Sequence, residues 1–409
     1  MAKVSEESGT AATELPVEGL ERLVRVLRDD GYTVVGPTRR DGVIVLDELE
    51  SADGLPFGWG VESRPGGYRT VPRPDGAAFA HSAGPQSWKP FLHRPRVKLA
   101  EFERDGGGLT VREHREPAPR YAFLGVRACD LRAIAIQDRV LTGGRHASPD
   151  YRARRDGVFV VVVECTEPGA TCFCASMNAG PGVEAGFDLR LDELTGDGGH
   201  RFVAVAGSAA GRAVLARLGG RPADPGTVDR ARREVDAAAD RMGRAMPDLD
   251  LRDLMAGSLE ADRWNDVAER CLTCGNCTMV CPTCFCTTVT DTSEVSGTHA
   301  ERWQLWDSCF DLDFSHLHGG PVRASARSRY RQWMTHKLGT WHDQFGESGC
   351  VGCGRCVVWC PVGIDITEEA AALAAESATT TGPAGESATS SGPAGESATA
   401  SGPDEGRAR

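Results

Sequence analysis

The chain has no long apolar stretch. Its longest, Val158–Val163, falls far short of the roughly 20 residues a helix needs to cross a bilayer, so no membrane association is expected. A basic excess is also missing. Lys and Arg number 46 against 58 Asp and Glu, a net charge of −12, which argues against a nucleic-acid partner. Met1–Pro16 lacks the apolar centre of a signal peptide. No G-x-G-x-x-G occurs, and the small residues Gly207 and Gly211 read as a tight turn rather than a phosphate loop. Cysteine is absent before Cys129 and after Cys360, although the chain has 15. Thiols confined in this way make a poor disulfide framework. They point to metal ligation in a reducing compartment, so a soluble, cytoplasmic protein is expected.

Two of the cysteine groups share one spacing. The first is Cys271-x2-Cys274-x2-Cys277-x3-Cys281-Pro282, and the second is Cys350-x2-Cys353-x2-Cys356-x3-Cys360-Pro361. Both follow the C-x2-C-x2-C-x3-C-P pattern of bacterial ferredoxins, in which the fourth cysteine serves the other cluster. The spacing therefore predicts two [4Fe–4S] clusters with crossed ligation. One would be held by Cys271, Cys274, Cys277 and Cys360, the other by Cys350, Cys353, Cys356 and Cys281. Gly275, Gly352 and Gly354 stand where such loops turn sharply. Structural zinc sites use two separated C-x2-C pairs more often than this run.

Seven cysteines remain. Cys129 and Cys165 each follow a strand-like segment, and Cys172 and Cys174 lie in the loop after the second. Parallel strands would bring those ends to one sheet edge, where α/β proteins place ligands. Two readings stand: a third [4Fe–4S] site made by Cys129, Cys165, Cys172 and Cys174, or four small buried thiols. Cys284, Cys286 and Cys309 are read as buried, with a zinc site completed by His316 or His318 as the alternative.

The remaining pattern divides the chain. Residues 1–15 read as a mobile arm. Over 16–222 the spacing predicts an α/β or α+β domain. A helix with Leu20, Leu23, Val24 and Leu27 on one face spans 17–29, followed by strands at 33–35 and 42–46. Further strands are expected at 121–126, 157–163 and 201–206, with helices at 131–141 and 209–218. Asp130 is the expected cap of the former helix. Residues 51–90 read as a long loop or irregular layer. Over 223–373 we expect a mostly helical, bacterial-ferredoxin-like dicluster domain with an insertion at 283–349. Helices are predicted at 227–242, 249–269 and 328–345. The last carries Tyr330, Trp333, Met334, Leu338, Trp341 and Phe345 on a core stripe, and Arg327, Arg329, Arg331 and Lys337 on a solvated face. Residues 374–409, built on the ten-residue repeat that begins at Glu376, Glu386 and Glu396, read as a disordered tail.

The longer stretches resemble a known family. Cys271-Leu-Thr-Cys-Gly-Asn-Cys-Thr-Met-Val-Cys-Pro-Thr-Cys-Phe-Cys286, Trp306-Asp-Ser-Cys309, Gly352-Cys-Gly-Arg-Cys-Val-Val-Trp-Cys-Pro-Val-Gly-Ile-Asp365, Gly125-Val-Arg-Ala-Cys-Asp-Leu-Arg-Ala-Ile134 and Glu164-Cys-Thr-Glu-Pro-Gly-Ala-Thr-Cys-Phe-Cys174 resemble the β subunit of soluble NAD(P)-linked [NiFe]-hydrogenases, or sulfhydrogenases. The electron-transfer subunit of anaerobic sulfite reductase is close in pattern. The resemblance covers about residues 15–370. It implies an electron-transfer iron–sulfur subunit whose partners are the hydrogenase small and large subunits together with a flavin/NAD(P)-binding subunit. A relay for sulfite reduction is the alternative within the same fold, and an iron–sulfur redox sensor or scaffold is the alternative of another class. No nickel ligand set is recognisable and no substrate site is expected on this chain, so no catalytic residue is assigned.

Overall fold

The computed structural model describes residues 12–196 and 198–380. In chain order it begins with β1 (Thr13–Pro16), α1 (Gly19–Asp29), β2 (Thr33–Arg40) and β3 (Val43–Glu48). Hairpin β4 (Trp59–Arg64) and β5 (Gly67–Pro72), the single turn α2 (Lys89–Leu92), and hairpin β6 (Arg96–Asp105) and β7 (Gly108–Glu113) follow. Then come β8 (Tyr121–Val126), α3 (Ala128–Thr142), α4 (Pro149–Arg155), β9 (Phe159–Val163), β10 (Leu189–Leu194), β11 (Arg201–Ala206), α5 (Ala209–Leu218), β12 (Arg221–Pro222) and α6 (Pro225–Asp240).

Eight strands form one sheet in the order β12-β1-β11-β10-β9-β8-β2-β3. The four central strands, β10, β9, β8 and β2, pair in parallel, and the flanking pairs are antiparallel. β9, Phe-Val-Val-Val-Val, is buried at every residue, as a central parallel strand covered on both faces must be. One face packs Leu20, Leu23, Val24 and Leu27 of α1 against Leu124, Val161 and Leu191. The other packs Trp88 and Leu92 against Phe123, Val160 and Val162. The parallel pairing of β8 with β9 brings both C-terminal ends to one edge, and Cys129 and Cys165 follow directly.

The C-terminal part contains α7 (Leu251–Gly257), α8 (Arg263–Arg270), α9 (Asn276–Met279), β13 (Thr287–Ser293), β14 (His299–Trp306), α10 (Ala326–Thr335), a π-helical turn at His336–Thr340, α11 (Trp341–Phe345), α12 (Arg355–Val358) and α13 (Ile366–Thr380). Its helices enclose a core of Met255, Trp264, Tyr330, Trp333, Met334, Leu338, Val357 and Ile366. Among the described residues no helix is long and apolar enough to cross a membrane.

Several expectations need correction. The C-terminal part is mixed rather than mostly helical: the 283–349 insertion carries hairpin β13–β14, and β14 pairs with β6 to give the sheet order β13-β14-β6-β7. Strands from both halves of the chain thus share a sheet, which only the tertiary fold could pair. Residues 51–90 are not one loop, because β4 and β5 pair across a turn in which Gly66 adopts φ +68. Residues 13–15 belong to β1 and are not a mobile arm; Leu15 enters the core, while residues 1–11 lie outside the described residues. Asp130 does not cap α3, whose cap is Arg127; it sits inside the first turn and faces Arg355. The helix expected over 249–269 is two helices. The break follows Gly257, where the Ser258 carbonyl accepts from Trp264 Nε1 at 2.6 Å. The tight turn expected at Gly207 and Gly211 is, by contrast, present, and Ser208 organises it: its hydroxyl accepts from Gly211 N–H and caps α5.

The tail begins later than its composition implies. α13 continues to Thr380, and residues 381–409 lie outside the described residues. Within the helix Ala370 and Leu373 are fully buried, and the Glu376 carboxylate accepts from the N–H groups of Asp262 and Arg263 at the start of α8. Glu369, also fully buried, pairs with Arg263 at 2.6 Å and Arg270 at 2.7 Å. Truncation after Glu369 is therefore expected to lower the melting temperature, since loss of Leu373 alone costs about 2–5 kcal/mol by analogy with large-to-small core changes. Thermal unfolding of that variant beside the full chain checks this.

Candidate metal centres

The first run begins where α8 ends. The Cys271 N–H still bonds to the Val267 carbonyl at 2.9 Å, and Cys271 itself leaves the helix with extended backbone. The loop then reverses through Thr273 at φ +52 and Gly275 at φ +75, a left-handed position that favours glycine. α9 follows and carries Cys277. Cys271, Cys274 and Cys277 line one pocket together with Cys360 from the second run, as crossed ligation requires. Phe310, Tyr330, Trp333, Ile364 and Ile366 complete an apolar wall. The N–H of Thr273 points to Cys271 Sγ at 3.4 Å and that of Ile364 to Cys360 Sγ at 3.3 Å. At Cys271 burial raises the thiol, and the Thr273 N–H opposes that rise. Cys274 is exposed, so this pocket reaches the surface.

The second run wraps the other way, toward the N-terminal half. Gly352 and Gly354 adopt φ +66 and +72. A Cβ on Gly352 would lie 2.6 Å from the Cys174 backbone, and one on Gly354 would lie 2.4 Å from the Thr171 carbonyl oxygen. Phe173 N–H bonds to the Gly352 carbonyl at 2.8 Å. Burial pushes the Cys356 thiol well above its usual range, and the charges of Cys350, Cys353, Cys281 and Cys277 push it further. Four such thiols cannot all ionise beside one another without a cation, so the donor set fits a cationic iron–sulfur core. Cys281 differs from its neighbours. The Cys284 thiol hydrogen-bonds to it and, with Lys337 near and burial opposing, holds it well below the usual thiol range.

Lys337, expected on a solvated face with the neighbouring arginines, is instead buried. It stands in the π-helical turn that joins α10 to α11. Its ammonium donates to Cys281 Sγ at 3.4 Å, Thr283 Oγ1 at 3.0 Å and the Gly349 carbonyl at 3.1 Å. A period of 3.6 residues per turn places it on the buried stripe, four residues after Trp333 and three after Met334; only its charge suggested a solvated position. The neighbouring arginines remain at the surface, where Arg327 and Arg331 pair with Glu260.

The other four thiols converge. Cys129, Cys165, Cys172 and Cys174 line one pocket with His81, Arg127, Met242 and Cys353. Cys172 Sγ lies 4.0 Å from the Cys353 carbonyl oxygen. Burial pushes the Cys172 thiol up to about 12, helped by Cys165. His81, pushed down to about 3 by burial and by Arg127, is neutral, and its Nε2 is buried without a partner. Among the described residues no three His, Cys, Asp or Glu side chains are placed to hold a single metal ion. A cubane, by contrast, takes its four thiolates at separate corners. The zinc site considered for Cys284 and Cys286 with His316 or His318 is thus not formed. His316 and His318 are exposed, whereas the bond to Cys281, with burial, raises the Cys284 thiol and burial raises those of Cys286 and Cys309.

The three sets abut. Cys356, from the second run, also lines the pocket of Cys271, Cys274, Cys277 and Cys360. Cys353, from the same run, also lines the pocket of the N-terminal four.

Comparison with known proteins bears on the two C-terminal cysteine runs. A 4Fe-4S dicluster domain model matches residues 270–364, and a second 4Fe-4S dicluster domain model matches 235–285. The chain is 29% identical over 344 residues to sulfhydrogenase 2 subunit beta of Pyrococcus furiosus, a match covering 81% of this chain and 89% of that protein. No solved structure matches. The likeness to a sulfhydrogenase β subunit therefore extends well beyond the cysteine runs.

Proposed function

We propose that this homologue of a sulfhydrogenase β subunit is an electron-transfer iron–sulfur protein, standing between the small and large subunits of a [NiFe]-hydrogenase at one end and a flavin/NAD(P)-binding subunit at the other. The crossed sets Cys271, Cys274, Cys277, Cys360 and Cys350, Cys353, Cys356, Cys281 each hold one [4Fe–4S] cluster, and Cys129, Cys165, Cys172 and Cys174 hold a third. When bound, such clusters carry single electrons. One observation carries the reading: Cys356 and Cys353 join the three sets into a continuous series, from the surface at Cys274 to the C-terminal edge of the parallel sheet. A scaffold would have no need of that order. Around it the chain supplies apolar walls that exclude water and N–H donors that stabilise thiolate.

Cys172→Ala tests both the third site and the relay. The chain purified without oxygen should hold about twelve irons and the variant about eight. In the assembled complex the variant should lose hydrogen-dependent NAD(P) reduction, while each end still works with artificial dyes. Counts near eight in both proteins would remove the third site. Full coupled activity in a variant with one cluster lost would remove the relay.

A further inference from the structure

The fold buries two lysines that the ligand sets do not explain. Lys337 is 3% exposed and Lys89 is 6% exposed. Lys89 donates to the Cys284 carbonyl at 3.2 Å and the Met279 carbonyl at 3.4 Å, and its Nζ lies 3.9 Å from the centre of the Trp306 ring. Lys337 holds Cys281 Sγ, Thr283 Oγ1 and the Gly349 carbonyl. Among the described residues neither ammonium pairs with a carboxylate. Both contact the segment Met279–Cys284, which carries Cys281.

A buried ammonium without a counter-charge is costly, and proteins keep one where an anion offsets it. Here the anionic partner within reach is Cys281 and whatever Cys281 binds. The local build shows that Lys337 is held in place. Thr283 Oγ1 donates to the Gly349 carbonyl at 2.6 Å while accepting from Lys337. A Cβ on Gly349 would stand 2.4 Å from the Trp341 ring, so glycine lets that carbonyl reach the ammonium. Lys337 itself lies in a π-helical turn, a form frequent at functional sites.

We propose that Lys337 sets the reduction potential of the cluster bound by Cys281, Cys350, Cys353 and Cys356, and that Lys89 acts in the same direction more weakly. The inference rests on that ligand assignment. Reduction adds one electron from a one-electron donor, makes and breaks no covalent bond, and leaves the cluster with its thiolates more negative. A fixed ammonium at hydrogen-bond distance from a ligand sulfur, in an interior that screens poorly, favours the reduced form. The potential is therefore higher than the same four thiolates would give alone. Lys89 touches carbonyls rather than a ligand sulfur, so its effect is smaller.

The test is a dye-mediated redox titration of the anaerobic full-length chain, followed by EPR. Lys337→Met should lower the midpoint of the second-run cluster by at least the equivalent of a tenfold change in the reduction equilibrium, about 59 mV for one electron. Lys337→Arg, which keeps the charge, should shift it less. Lys89→Met should shift it in the same direction by a smaller amount, and the cluster of Cys271, Cys274 and Cys277 should stay put. An unchanged midpoint in Lys337→Met with the cluster intact overturns the inference and leaves the ligand assignment standing. If Lys337→Met does not assemble, Lys89→Met decides by direction: a lower midpoint supports the inference, and an unchanged or higher one overturns it. A wild-type chain with no second-run cluster signal overturns the ligand assignment and the inference together.

Discussion

Replacing Cys281 with alanine is expected to remove the cluster of the second run, although Cys281 belongs to the first. The chain should lose about four irons, and with them the EPR signal that Cys350→Ala also removes. The signal lost in Cys274→Ala should survive. The reason lies in where the chain goes after α9. Cys281 turns away from the pocket of Cys271, Cys274 and Cys277, which Cys360 completes, and meets Lys337. The Cys284 thiol hydrogen-bonds to Cys281 and could stand in for it. The double variant Cys281→Ala/Cys284→Ala closes that route and should lose the signal completely. If Cys281→Ala instead removed the signal that Cys274→Ala removes, the crossed pairing would be wrong.

Arg355→Ala should be among the most destabilising single changes away from a ligand. Arg355 and Asp130 lie 2.9 Å apart with side chains 3% and 5% exposed, an ion pair by distance whose angle is not that of a hydrogen bond. Arg355 Nε also donates to the carbonyls of Gln86 at 3.1 Å and Gly84 at 3.3 Å. The substitution strands a buried carboxylate and two carbonyls. Breaking a buried pair by removing one partner costs about 3–5 kcal/mol. Asp130→Asn, which leaves a neutral group, should cost less. Thermal unfolding under anaerobic conditions would read this as a drop of several degrees. A change within the error of the measurement would mean that water enters and solvates Asp130. Because Asp130 neighbours Cys129 and Arg355 neighbours Cys356, the pair also ties the N-terminal set to the second run.

Much of the site was legible because ligand spacing is a local property. The two runs could be assigned, and crossed, from residue intervals alone, and the structure brings Cys360 to the first pocket as that spacing requires. Strands β8 and β9 and helices α1 and α5 announced themselves through apolar runs and faces. Lys337 was misplaced because its charge outweighed its spacing, which sets it three and four residues after the buried Met334 and Trp333. Nor was hairpin β13–β14, because Thr287–Ser293 is largely exposed, with little apolar alternation to mark it.

By itself, then, the sequence determined the donor set that the C-terminal part offers: eight cysteines at the intervals of the bacterial-ferredoxin pattern. It also determined the parallel strands that deliver Cys129 and Cys165, since a run such as Phe159–Val163 has no stable place except inside a covered sheet. Only the tertiary structure decided what these parts are to one another. Cys129, Cys165, Cys172 and Cys174 are separated along the chain, and their convergence depends on which strands neighbour each other. Gly352 and Gly354 admit the Thr171–Cys174 loop because they lack a Cβ, but nothing local to either segment names its partner. The burial of Lys337 likewise follows from the pairing of distant segments, because a lone cation enters an interior only where the fold has gathered negative charge to receive it.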